Sequence, residues 1–528
     1  MALHLLRTKS VEQSLADADA PDYALKKSLT ALDLTVFGVG VIIGAGIFTL
    51  TGRAAHNLAG PAVVLSFLVA ALGCALAALC YAEFAATVPV SGSAYTFSYA
   101  ALGEIFAWII GWDLILECFT GASVVAQGWS AYFGTFLDQV TGQAAGSHVL
   151  PDIIANGGNG NNPAFNIDLM SMLLVVVLGA LMIRGIKESM RVNLALVSLK
   201  LFIVFFVIIA GLRFIRPSNW SPFIPPAGPQ PADVPQVGSV LAQPLIQWAL
   251  GLQPSAYGVT GIFAGAALVF FAYLGFDIIS TTAEEAKNPR RDLPLGIIAS
   301  LVICTVLYCA VALVVTGMVH YDHITQTAAL ANAFAYHGQT WMATIISAGA
   351  VAGLTTVVLT LLTGATRVVF AMSRDNLLPM GLATVHPRFR TPYRIGTGVT
   401  VICAGVAGFT KVGILEEMVN IGTLSAFILV SAAVIVLRRT RPDLPRPFKV
   451  PLVPALPIAA ALVCLYLMIN LPIETWLRFL IWLAVGFVIY FFYSNKHSRV
   501  ATGKTLRHDL EDHAAVDSER IPASVVAK

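Results

Sequence analysis

The sequence predicts an all-α polytopic membrane protein of about 12 transmembrane helices, built as two inverted five-helix repeats with two helices added. Three observations predict it. Hydrophobic residues make up 57% of the 528-residue chain and charged ones only 12%, with a mean hydropathy of +0.78, whereas a water-facing surface takes about a quarter charged residues. Apolar stretches of bilayer-crossing length recur along the chain. The first and the sixth of them are interrupted by glycine. This composition excludes a soluble enzyme, and a net charge of +3 is too small to imply a nucleic-acid partner.

The first thirty residues hold Arg7, Glu12, Asp17, Asp19, Lys26 and Lys27 without an apolar h-region, and read as a polar tail rather than a signal peptide. Apolar runs bounded by charge, Pro or Gly then place spans near 31–55, 61–86, 104–130, 168–184, 192–215 and 260–285. A second series follows near 295–318, 340–373, 395–410, 413–437, 451–471 and 474–493. The expected organisation is a tail at 1–30, a first five-helix repeat at 31–215, a second at 260–437, two additional helices at 451–493 and a tail at 494–528. An odd number of helices per repeat forces the second to be inverted relative to the first. The connections at 131–167 and 217–259 contain no Lys or Arg and are rich in Gly, Asn and Pro, as in "ANGGNGNNP", which marks irregular outer loops.

Basic residues set the orientation. Of the 32 lysines and arginines, 26 fall in the N-tail, the 184–191 and 287–291 turns, the 367–394 and 438–449 stretches and the C-tail. Only Arg53, Arg213, Arg216, Lys411 and Arg478 stand on the opposite side, and Lys200 is left inside a span. Both termini are therefore expected in the cytoplasm, with the chain in the cell membrane. The seven cysteines all lie in apolar stretches and show no metal-ligand or CxxC spacing, so they read as buried thiols. No metal or cofactor is expected.

The first span carries "GVGVIIGAGIF", with Gly38, Gly40, Gly44 and Gly46, and the sixth carries "FFAYLGFD", with Gly275 and Asp277. Close helix packing is one explanation for such glycines. Their matching places in two inverted repeats favour another, a transporter binding site at the breaks. A half-helix beginning after Gly44, Ala45 and Gly46 points free N–H groups and a positive dipole end at a carboxylate. The break around Phe271, Ala272 and Leu274 offers carbonyls to an ammonium. Together they suit an α-amino acid.

Lys200 lies nine residues beyond Arg191, too deep to snorkel without strain. A buried lysine is costly when charged, which suits a proton-coupling or cation-mimicking role. Glu117 on the third span faces the bundle or a wet cavity, as pocket lining or as a structural hydrogen-bonding group. Glu83 reads as structural or gating, and Asp277 is expected to pair with basic residues of the turn "EEAKNPRRDLP".

These motifs, with "YAEFAATVPVSGSAYTFSY", "GWDLILE" and "TRVVFAMSRDNLLP", resemble the amino acid-polyamine-organocation superfamily, and within it the cationic amino acid transporter family in bacterial form, over roughly residues 24–495. The resemblance implies the LeuT-type fold of five plus five inverted helices and alternating access. It also implies that Ile42, Gly44, Ala45 and Gly46 bind the substrate carboxylate and Phe271, Ala272 and Leu274 its amine. By the same resemblance Phe276 is an aromatic gate, Ile279 a pocket wall, Glu117 the third-helix glutamate, and Lys200 the lysine that stands in for sodium and implies proton coupling. Position 45 departs from the pattern, being Ala where relatives often have Thr. Leu354, where eukaryotic cationic relatives tend to have a small polar residue, is placed near the pocket and disfavours a long basic side chain.

The reading is then a proton-coupled symporter of amino acids, small and neutral ones ahead of cationic ones. An amino acid or polyamine exchanger and a non-transporting amino acid sensor stay open as alternatives. The implied partners are the amino acid, protons and the lipid bilayer; a small membrane subunit is left open. No span shows a channel's selectivity sequence, and no H-E-x-x-H, Walker-type or G-x-S-x-G motif marks an enzyme or an ATP-driven pump.

Overall fold

The computed structural model describes residues 7–8, 28–44, 46–88, 93–142, 149–151, 154–157, 167–185, 190–228, 240–252, 255–389 and 391–502. Among them, eight helical runs are long and apolar enough to cross a membrane, and four shorter apolar helices accompany them. The twelve expected segments all overlap these helices, the first running across Ala31–Ile42 and into the Gly46–Thr87 run that also holds the second.

The first segment starts at α1 (Ala31–Ile42), opened by a capping box in which Thr30 and Asp33 satisfy each other's backbone N–H. The helix stops at Ile43, and helical turns resume at Gly46 and run to Ala59 through π, α and π segments. A turn at Gly60 and Pro61 separates this half-helix from α2 (Val63–Thr87), so the unbroken apolar run Gly46–Thr87 is two helices. Next come α3 (Ser93–Ala101), α4 (Glu104–Thr141), α5 (Leu169–Ile183) and α6 (Met190–Gly211). The sixth segment begins with α7 (Gly258–Val269), tightens to a 3-10 turn at Phe270–Tyr273 and resumes as 3-10 turns at Ile278–Glu285. The chain ends with α8 (Pro289–Met318), α9 (Ala329–Tyr336), α10 (Thr340–Arg374), α11 (Tyr393–Phe409), α12 (Val412–Thr440), α13 (Ala455–Ile469) and α14 (Ile473–Ile489).

The third segment, expected to end near 130, continues as α4 to Thr141. That helix is the hub of the bundle, packed on α10, α11 and α12, while α8 packs on α1 and α2. Outward faces are apolar, with Leu72, Phe202, Val306, Val401, Leu462 and Ile481 exposed, as lipid contact requires.

Two polar knots tie the helix ends. Glu83 of α2 takes a fork from Arg438, Nε to Oε1 at 2.9 Å and Nη2 to Oε2 at 2.5 Å, and the Val450 N–H at 2.7 Å. The carboxylate thus joins α2 to the end of α12 and the segment of chain leading to α13. At the start of α4, the buried Glu104 accepts from Tyr99 at 3.1 Å, Tyr490 at 3.1 Å and Ser498 at 2.7 Å, and its own N–H donates to the Arg7 carbonyl at 2.8 Å.

Candidate functional site

The two interrupted helices meet backbone to backbone. A Cβ built on Gly46 would fall 2.3 Å from Ala272 Cα, so only glycine permits the approach. Gly275, at φ +111°, carries the sixth segment through a bend that side chains rarely adopt. Between the breaks lies a small cavity lined by Val41, Ile42, Gly44, Gly46, Val125, Phe271, Leu274, Val357 and Leu361. Every described lining residue is apolar.

Helix ends leave carbonyls that need donors, and two side chains supply them at the end of α1. Lys200 Nζ donates to the Gly40 carbonyl at 2.6 Å, near the negative end of the helix. The Lys200 side chain is buried, with its stem against Gly353, and does not snorkel. Tyr308 of α8 reaches both breaks at once, its hydroxyl 2.6 Å from the Ile42 carbonyl and 2.9 Å from that of Ala272.

Of the residues singled out from the sequence, Ile42, Gly44, Gly46, Phe271 and Leu274 border the cavity together. Ala45 lies outside the described residues. Ala272 packs on Gly46 and gives its carbonyl to Tyr308, away from the described lining. Phe276 is buried in an aromatic group with Tyr81 and Phe427, ring centroids 5.8 and 5.1 Å away. Ile279 packs on Gly38 of α1. Leu354 is fully buried but not among the lining residues; Val357 and Leu361, one and two turns along the same face of α10, take that place. Glu117 also stands off the lining, its Oε2 accepting from Thr423 at 2.8 Å and Asp113 and Asp277 its acidic neighbours.

Asp277 follows the bend at Gly275. The bend folds the chain so that the buried carboxylate lies against backbone N–H groups of Gly275, Asp277 and Ile278. Sequence reasoning missed Val41, Val125, Val357, Leu361 and Tyr308. The available signals were heptad-like spacing from Leu354 and, for Val125, two turns from Glu117 on α4.

Two interrupted helices meeting at an apolar cavity, inside a chain of apolar helices, are the arrangement of a multi-pass membrane transporter. The chain belongs to the amino acid permease family, whose profile matches residues 29–498. It is 45% identical to the branched-chain amino acid permease BcaP of Bacillus subtilis (strain 168) over 508 residues, covering 94% of this chain and 99% of that protein. It is 43% identical to the methylthioribose transporter of the same strain, covering 94% of this chain and 98% of that protein. The vacuolar cationic amino acid transporter 4 of Arabidopsis thaliana is 36% identical, over 83% of this chain and 68% of that protein.

Proposed function

We propose that the protein is a proton-coupled importer of neutral amino acids with apolar side chains, acting by alternating access in the cell membrane with both termini cytoplasmic. The observation that carries the reading is the cavity between the two breaks, whose lining holds backbone for an α-amino acid's charged ends and apolar side chains for the rest. A cationic substrate would need a carboxylate or carbonyl cluster at its far end, and the lining offers Val125, Val357 and Leu361 there. The name of one relative gives branched-chain amino acids, which suits that lining; another gives methylthioribose, so both belong in the test.

In this reading residues 31–215 and 260–437 are the inverted repeats of a LeuT-type fold and 451–493 the two added helices. The N–H groups after Gly44 hold the carboxylate, and the carbonyls of Phe271 and Leu274 hold the amine. Lys200 is the coupling group. As an ammonium it pins the end of α1 through Gly40; without its proton it no longer holds a fixed positive charge there, and the first break is released to move.

Uptake by purified protein in liposomes tests this, with labelled valine, leucine and isoleucine set against arginine, lysine and methylthioribose. Accumulation of branched-chain amino acids under an acid-outside gradient, lost with a protonophore, is expected. Uptake of arginine or lysine alone would overturn the specificity. Dependence on preloaded amino acid would mark an exchanger, and binding without uptake a sensor.

A further inference from the structure

The tenth segment, α12, carries a polar stripe that the site so far described does not use. Glu416, Asn420 and Thr423 stand at i, i+4 and i+7, share one helix face, and are all fully buried. Glu416 pairs with Arg53 on the outer half of the first segment, and Thr423 donates to Glu117. Asn420 Nδ2 donates to the carbonyls of Ala267 at 2.8 Å and Leu268 at 3.2 Å.

Those two carbonyls are the informative ones. The helix α7 ends at Val269, so the carbonyls of residues 266–269 form its last turn and need donors from elsewhere. The Phe270 N–H takes Ala266. Asn420 takes the next two and so spends its amide donors on adjacent carbonyls, directly before the chain tightens into the 3-10 turn Phe270–Tyr273. Had α7 continued, Ala267 and Leu268 would have bonded the N–H groups of Phe271 and Ala272. Occupying these carbonyls from the side weakens that pull and holds the change of helix type at Phe270. Its cost is visible: Asn420 Oδ1 is buried and has no hydrogen-bond partner among the described residues. An apolar residue would avoid that loss, so the donors are what the position supplies.

We infer that Asn420 is a positioning residue for substrate, setting the register at which Phe271 and Leu274 meet the cavity. The inference rests on the reading that the substrate amine sits at the sixth-segment break. It predicts an amine-specific effect, which a residue that merely glues α12 to α7 would not have.

The test is competition against labelled branched-chain amino acid uptake in liposomes, comparing an amino acid with the α-hydroxy acid of the same side chain. The readout is the ratio of their apparent affinities. Asn420→Ala is expected to weaken the amino acid about five- to tenfold, the scale of one buried hydrogen bond, while leaving the hydroxy acid within twofold. Asn420→Gln, which keeps both donors, restores at least half of the ratio. Where the alanine variant is not recovered, Asn420→Ser keeps one donor and is expected to lower the ratio two- to threefold. An unchanged ratio, or equal loss of both ligands, overturns the inference. If the unmodified protein itself fails to prefer the amino acid, the placement of the amine is wrong, and this proposal falls with it for that separate reason.

Discussion

Replacing Tyr308 with phenylalanine removes one oxygen from the point where both breaks are held. The ring keeps its packing against Tyr273 and Phe67, at centroid distances of 5.4 and 5.6 Å. What disappears is the donor to the Ile42 carbonyl at 2.6 Å and the Ala272 carbonyl at 2.9 Å. Leaving a buried acceptor without its donor costs about 1–3 kcal/mol, and about 1.4 kcal/mol is tenfold in an equilibrium constant. One proton serves both carbonyls, so the loss counts once. A substrate that binds to this backbone must then order it, and its affinity is expected to fall about tenfold. Concentration-dependent uptake in liposomes gives KM, and thermal melting in detergent with and without ligand gives the stability of the empty and loaded protein. A KM within twofold of the parent, together with unchanged melting, would refute the view that Tyr308 organises the breaks.

Three further outcomes follow from the geometry. Lys200→Ala, and Lys200→Met with the stem retained, are expected to abolish uptake driven by a pH gradient; accumulation equal to the parent's would remove Lys200 from coupling. Val357→Ser should raise competition by small polar amino acids such as serine at least threefold against valine, whereas Leu354→Ser should leave the ligand profile as it was; a profile that follows Leu354 instead would move the pocket wall. Glu83→Gln leaves Arg438 without its fork, and since Arg438 is 25% exposed the loss should be about 2–3 kcal/mol, below the roughly 3–5 kcal/mol of a fully buried pair. A melting temperature equal to the parent's would show that the clasp contributes nothing.

Glycines and a lone charge are local signals, and they are why both breaks and Lys200 were legible. The helix order was legible for the same kind of reason, since apolar runs and their punctuation are written in consecutive residues. Val125, Val357 and Leu361 were not. In a helix buried on most sides, apolar residues look alike whichever way they face, so the period that marks an amphipathic surface is washed out. Leu354 pointed to the correct helix and missed the turn. Tyr308 and Asn420 escaped because their work is done on backbone carbonyls of distant segments, and a carbonyl has no letter in the sequence.

The knot at Glu104 has a mechanical side. The first described residues, at Arg7, and the last described turns, at Ser498, are both fastened to the opening residue of α4. The same helix carries Val125 into the cavity wall, 21 residues further on, or roughly 32 Å at about 1.5 Å per residue. A rigid rod anchored at one end by both tails and touching the cavity just past its midpoint is a lever. Anything that pulls on either tail, such as a bulky fusion joined close to Arg7 or Ser498, therefore loads the wall of the cavity. Fusions set back by a flexible linker spare it.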